Sequence, residues 1–252
     1  MKRTIDFARL FLFHPSRAAE ECLREDSLSD GLKVYAAWVV ASLLYLWLKP
    51  FDFPDTNAAI PARVQGLSFW MEVALWEPVL AALNIALTGL VLRWMRDGWL
   101  PLKTAAATLW CSVPLMLTVA YTRSAIPKSV FAILFVVWAV PGVLYARRIP
   151  GQEWRRITTF LLGLNAVGLL LLSTQVLAAL MRNEPLYKAS LVLTVGWLLA
   201  CGGIGLKTLA KTSMPRAVLA FLFANLALNL VLAAAFLLGW LPMEVLKVLV
   251  YV

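Results

Sequence analysis

The chain has 252 residues, of which 62% are hydrophobic and 15% charged, and a formal net charge of +9. A soluble domain sits nearer about 45–50% apolar and about 25% charged, so this composition excludes an ordinary soluble fold. The apolar residues gather in runs of about 20, the length that crosses a bilayer as a helix. The positive charge forms no basic domain, which argues against nucleic acid as a partner.

Residues 1–31 precede the first run and form the first segment of the chain. They are too charged for a cleaved secretory leader, and His14-Pro15 interrupts their apolar stretch, so the first span is expected to act as its own insertion signal. Lys2–Phe13 sets Ile5, Phe7, Leu10, Phe11 and Phe13 against Lys2, Arg3, Asp6 and Arg9. The pattern predicts an amphipathic helix in the cytoplasmic interface, with Arg3, Phe7, Arg9, Phe11 and Phe13 at the lipid surface. A helix packed on its own protein fits the same pattern equally well. Pro15 suits the first turn of a second short helix.

Seven spans follow, Leu32–Leu48, Phe69–Met95, Thr104–Tyr121, Val130–Ala146, Ile157–Met181, Leu186–Leu206 and Ala217–Trp240. The predicted fold is an all-α polytopic transmembrane bundle with an N-terminal interfacial helix. Alternate connecting pieces hold 16 of the 23 Lys and Arg, against 7 in the others. The positive-inside rule then puts the N-terminus in the cytoplasm and the C-terminus outside.

Phe69–Asp97 carries the most informative polar residues. Glu77 falls inside the span, and a carboxylate there costs about 2.5–3.5 kcal/mol even on lenient insertion scales. Pro78 follows it and removes the hydrogen bond to the Ala74 carbonyl, which predicts a kink. Asn84 lies seven positions on, on the same helix face. Asn165 of the fifth span and Asn225 and Asn229 of the seventh are the other amides at depth. No Lys or Arg is deeply embedded in a span, so Glu77 is expected to be protonated and to face protein or a water-filled crevice. Glu72, nearer the outer surface, is expected to anchor at the headgroups.

The outer loop Lys49–Ser68 holds Asp52 and Asp55, too few carboxylates for a good calcium site. Its Phe51, Phe53 and Pro54 favour a loop pressed on the membrane surface. The cytoplasmic loop with Arg147, Arg148, Arg155 and Arg156 is placed to meet anionic headgroups, each basic residue contributing about 1 kcal/mol. Cys22, Cys111 and Cys201 have no disulfide or zinc spacing, and His14 is the single histidine, so no metal or cofactor is expected. Catalytic signatures such as HExxH and GxSxG are absent, and no enzyme activity is expected.

Two stretches resemble a known family. Phe11-Leu12-Phe13-His14-Pro15-Ser16-Arg17-Ala18-Ala19-Glu20-Glu21-Cys22-Leu23 is similar to the segment that opens the Yip1 family, in its bacterial branch. Trp110-Cys111-Ser112-Val113-Pro114 is similar to its aromatic–small–x–x–Pro element, with Trp110 where Tyr is usual. The resemblance covers roughly residues 8–181, so that 32–181 is a five-span core and 182–252 adds two spans and a short outer tail. It implies a non-enzymatic protein of the bacterial inner membrane. Such a protein would be an adaptor or accessory subunit of a larger membrane complex, an exporter among the candidates, with lipids and another integral membrane protein as partners. The residues themselves leave a second reading open, a small-solute or lipid transporter that uses Glu77 and the intramembrane asparagines.

Overall fold

A computed structural model describes residues 2–24, 26–50, 53 and 66–251. Among them are ten helices and no strand: α1 Lys2–Phe13, α2 Pro15–Glu21, α3 Ser27–Leu48, α4 Leu67–Met95, α5 Leu100–Thr122, α6 Lys128–Ala146, α7 Gly151–Leu180, α8 Glu184–Ala210, α9 Met214–Leu237 and α10 Met243–Tyr251. Helices α3 to α9 are seven elements long and apolar enough to cross a membrane. The protein is a polytopic helical membrane protein. Several helices outrun the apolar windows that announce them: α7 begins at Gly151, six residues before the window. Backbone hydrogen bonding continues into the charged turn around Glu153, where the hydrophobic signal has already ended.

Local sequence explains the helix ends. Proline occupies the first turn of α5, α8 and α9, where its missing N–H costs nothing. The Asn183 side chain caps α8 by accepting the Leu186 N–H at 3.0 Å. Lys211, in the left-handed conformation at φ 50°, ends α8. Pro78, Pro114 and Pro141 lie within α4, α5 and α6, which continue through them. Surrounding helices tolerate such prolines in a bundle.

Helix α7 is the centre of the bundle. Within its apolar window 56% of residues are buried inside the protein, against 11% for α6, whose Ile133, Val136 and Val137 face outward. Helices α1, α3, α4 and α8 pack on α7, while α9 packs on α4, α5 and α8. Aromatic side chains seat on glycines at these contacts. A Cβ on Gly163 of α7 would run into the Phe11 ring, and one on Gly205 of α8 into the Phe160 ring. Glycine is required there because another side chain occupies the space a Cβ would take.

Two expectations at the N-terminus change. Phe7 and Phe11 do not lie at the lipid surface: they are 3% and 0% exposed, packed on α7, with Phe11 5.3 Å from the Phe160 ring. Burial on a large aromatic and glycine face outcompetes the interface. Phe13 and Arg9 remain exposed. Arg3 is engaged by acids, its guanidinium 3.0 Å from Asp30 and 3.5 Å from Asp26. Asp30 also accepts from the Thr4 hydroxyl at 2.7 Å, which ties α1 to the first turn of α3. Helix α2 lays Ala18 and Ala19 against α8, both fully buried. Cys22 is buried at its end, and burial, with Glu21 beside it, pushes the thiol up from its ordinary range.

The bundle end that carries α1 and α2 is the basic end. There Arg93 and Arg96 of α4 pair with Glu153 of α7 at 2.6 and 3.8 Å. Arg216 donates to the carbonyls of Met95, Arg96 and Gly98, so a cation caps the C-terminus of α4. Arg147, Arg148 and Arg156 are exposed and Arg155 is half-buried. At the opposite end the Tyr45 and Tyr187 hydroxyls meet at 3.0 Å, and the Lys49 ammonium sits over both rings. Phe53 packs edge-on against Tyr187 and is buried instead of lying on a surface. Phe51, Asp52, Pro54 and Asp55 lie outside the described residues.

Candidate binding crevice

Consecutive spans α3 and α4 do not pack along their length. Each is held by another partner, α3 by α7 and α4 by α9. They meet toward the opposite end, where Trp47 approaches Trp70 at 6.3 Å and Leu43 joins the cluster around Phe69 and Val73. Nearer the middle of the bundle lies a cavity of about 360 Å³. Small-molecule sites commonly span about 300–1,000 Å³.

Four of the five asparagine and glutamate positions expected at depth converge here. Glu77 and Asn84 line it from α4, Asn165 from α7 and Asn225 from α9. Glu77 sits about 15 Å from the start of α4 at Leu67 and about 27 Å from Met95, by the 1.5 Å rise per residue. Asn229 does not join them: it is exposed and donates 2.8 Å to the Asn225 carbonyl. Glu72 is half-buried nearer that end of α4.

The amides do not bridge helices. Asn165 donates its NH2 to the Leu161 and Leu162 carbonyls at 3.2 and 3.0 Å, and Asn225 donates to Phe221 at 2.8 Å, each within its own helix. Their side-chain oxygens are left as acceptors at the cavity wall. Asn84 differs, its oxygen accepting from Thr88 at 3.2 Å.

Two wall residues escaped the sequence reading. Tyr35 and Ser42 of α3 line the same cavity, and the phenol oxygen and the hydroxyl oxygen are both buried without a hydrogen-bond partner. Buried polar atoms are normally paired, and an orphan costs about 1–3 kcal/mol. Tyr35 and Ser42 are seven apart, as are Glu77 and Asn84. Matching seven-residue polar spacings on consecutive spans are the signal that would have found them, since each pair shares one helix face.

Among the described residues Glu77 has no hydrogen bond and no ion pair, and no Lys or Arg lines the cavity. Ala74, whose carbonyl Pro78 leaves without its usual donor, is also in the wall. The remaining walls are apolar, with Trp38, Leu80, Leu161 and Phe221 among them, and Val248 and Leu249 of α10 complete the lining. Chemically this is an apolar pocket with converging oxygen acceptors and a single carboxyl group. Among the described residues no group of three His, Cys, Asp or Glu could hold a metal ion.

Comparison with protein-family profiles, with curated proteins and with solved structures finds no match.

Proposed function

We propose that this membrane protein binds a small solute or lipid in the crevice between α3 and α4 and moves it across or within the bilayer, without catalysing a reaction. One observation carries the reading. Glu77, Tyr35, Ser42 and the side-chain oxygens of Asn165 and Asn225 come from four helices to one mid-bundle cavity, where the buried hydroxyl oxygens of Tyr35 and Ser42 have no hydrogen-bond partner. Each such hydroxyl costs stability unless a ligand pairs with it. Intramembrane ionisable groups beside a cavity are the usual mark of a solute pathway. We place its basic end in the cytoplasm on the Lys and Arg bias of the connecting pieces, and the protein in a bacterial inner membrane on the resemblance at residues 11–23 and 110–114.

Purification in mild detergent and reconstitution into liposomes test the reading. A protein that stays alone and moves solute or lipid supports transport. A stoichiometric protein partner with no transport supports the accessory-subunit reading, whose support is the resemblance at residues 11–23 and 110–114. Both stretches have packing roles. Ala18 and Ala19 seat α2 on α8, while Trp110 stacks on Trp138 at 4.7 Å and its carbonyl accepts the Trp138 indole N–H at 2.8 Å.

A further inference from the structure

The chemistry of the crevice narrows what it takes. Its unpaired polar atoms are chiefly acceptors: the Glu77 carboxyl and the oxygens of Asn165 and Asn225, whose NH2 groups are spent on their own helices. Tyr35 and Ser42 add two hydroxyl oxygens that can accept as well as donate. An acceptor set of this kind is completed by a ligand bearing N–H donors. One carboxyl group with no Lys or Arg in the lining favours a positively charged donor, because an ionised Glu77 then gains the counter-charge that the protein does not supply. Trp38, Tyr35 and Phe221 add aromatic rings to the wall, which attract a cation that approaches their faces.

Size and polarity argue against a bare inorganic ion. A cavity of about 360 Å³ is far larger than one ion, and most of its wall is Leu, Ile, Val, Ala and aromatic carbon. A hydrated ion would leave that apolar surface against water, whereas an organic body covers it. We propose that the crevice binds a primary ammonium group carried on an apolar body, with Glu77 taking the ammonium and the Tyr35 hydroxyl completing its hydrogen bonds. This rests on the reading of the crevice as a ligand site. The amine can come from a free alkylamine or from an aminophospholipid headgroup, and the chemistry at Glu77 is shared.

The test uses the full chain in phosphatidylcholine nanodiscs, with n-hexylammonium, n-hexanol and sodium chloride as probes. Binding is read as the fluorescence change that is lost in Trp38→Phe. Hexylammonium is expected to bind at least about tenfold more tightly than hexanol, the scale of one hydrogen bond to a charged group, and sodium is expected neither to bind nor to compete. Glu77→Gln should abolish that preference, leaving hexanol binding intact. Tyr35→Phe, which keeps the apolar wall, should weaken hexylammonium several-fold, and it carries the test if the Glu77 variant misfolds. Competition by phosphatidylethanolamine in the nanodisc marks the lipid as the amine source, and its absence marks a free amine. Equal binding of hexanol and hexylammonium overturns the ammonium assignment and leaves a ligand crevice standing. Binding of none of the probes overturns both.

Discussion

Phe11 lies where a Cβ on Gly163 would have to be. The contact joins a helix outside the spans to the middle of the central span. It makes α1 part of the bundle core and not a detachable surface helix. Gly163→Ala should therefore expel the Phe11 ring and destabilise the protein by about 1–3 kcal/mol, the usual cost of overpacking. Unfolding in SDS measures it. Phe13→Ser, at an exposed position, should leave the midpoint unchanged. An unaltered midpoint for Gly163→Ala would show that α1 docks elsewhere.

Arg216 donates to three carbonyls at the end of α4. Arg216→Ala leaves those groups uncapped and removes a cation from the negative end of the helix dipole. The expected loss is about 1–2 kcal/mol, with the turn between α4 and α5 cleaved faster by protease. Arg216→Lys should recover only part of it, since an ammonium cannot span three acceptors as a guanidinium does.

Ser42→Ala separates ligand chemistry from packing. The Ser42 hydroxyl is buried and unpaired, so removing it should raise thermal stability, by up to about 1–3 kcal/mol. A loss of stability would reveal a structural hydrogen bond and weaken the assignment of Ser42 to the crevice.

Cys22 is 2% exposed, and burial pushes its thiol up. Only the thiolate reacts, so in a variant lacking Cys111 and Cys201 the native protein should resist maleimide even at about pH 8.5, near the ordinary thiol range. Labelling should become complete in SDS. Rapid native labelling would mean that α2 leaves α8 in solution.

The span count was legible because each crossing leaves a run of apolar residues that no loop interrupts. The carboxylate site was legible in part for the same reason, since Glu77 and the asparagines stand out against an apolar background. Tyr35 and Ser42 were hidden because neither residue type is costly enough at depth to draw notice alone. Phe7 and Phe11 were ambiguous in sequence: an amphipathic face is the same whether it meets lipid or protein, and only the glycine opposite settles which. The failure of the asparagines to bridge helices was likewise invisible, because an amide can bond its own helix four residues back as readily as a neighbour.

The proposed orientation rests on charge bias alone. A reporter fused after Arg96 should be active in the cytoplasm and one at the C-terminus outside it. Cytoplasmic activity of the C-terminal fusion beside a cytoplasmic Arg96 fusion would show that the span count is off by one.

The central claim is that Glu77 holds a ligand. Native mass spectrometry of the protein released from mild detergent, wild type beside Glu77→Gln, addresses it most directly. The account predicts that wild type carries a small amine-bearing amphiphile at one copy per chain and that the folded glutamine variant has lost it. The same bound mass at the same occupancy in both proteins, or no bound mass in either, would contradict it and leave Glu77 as a residue of the Pro78 region alone.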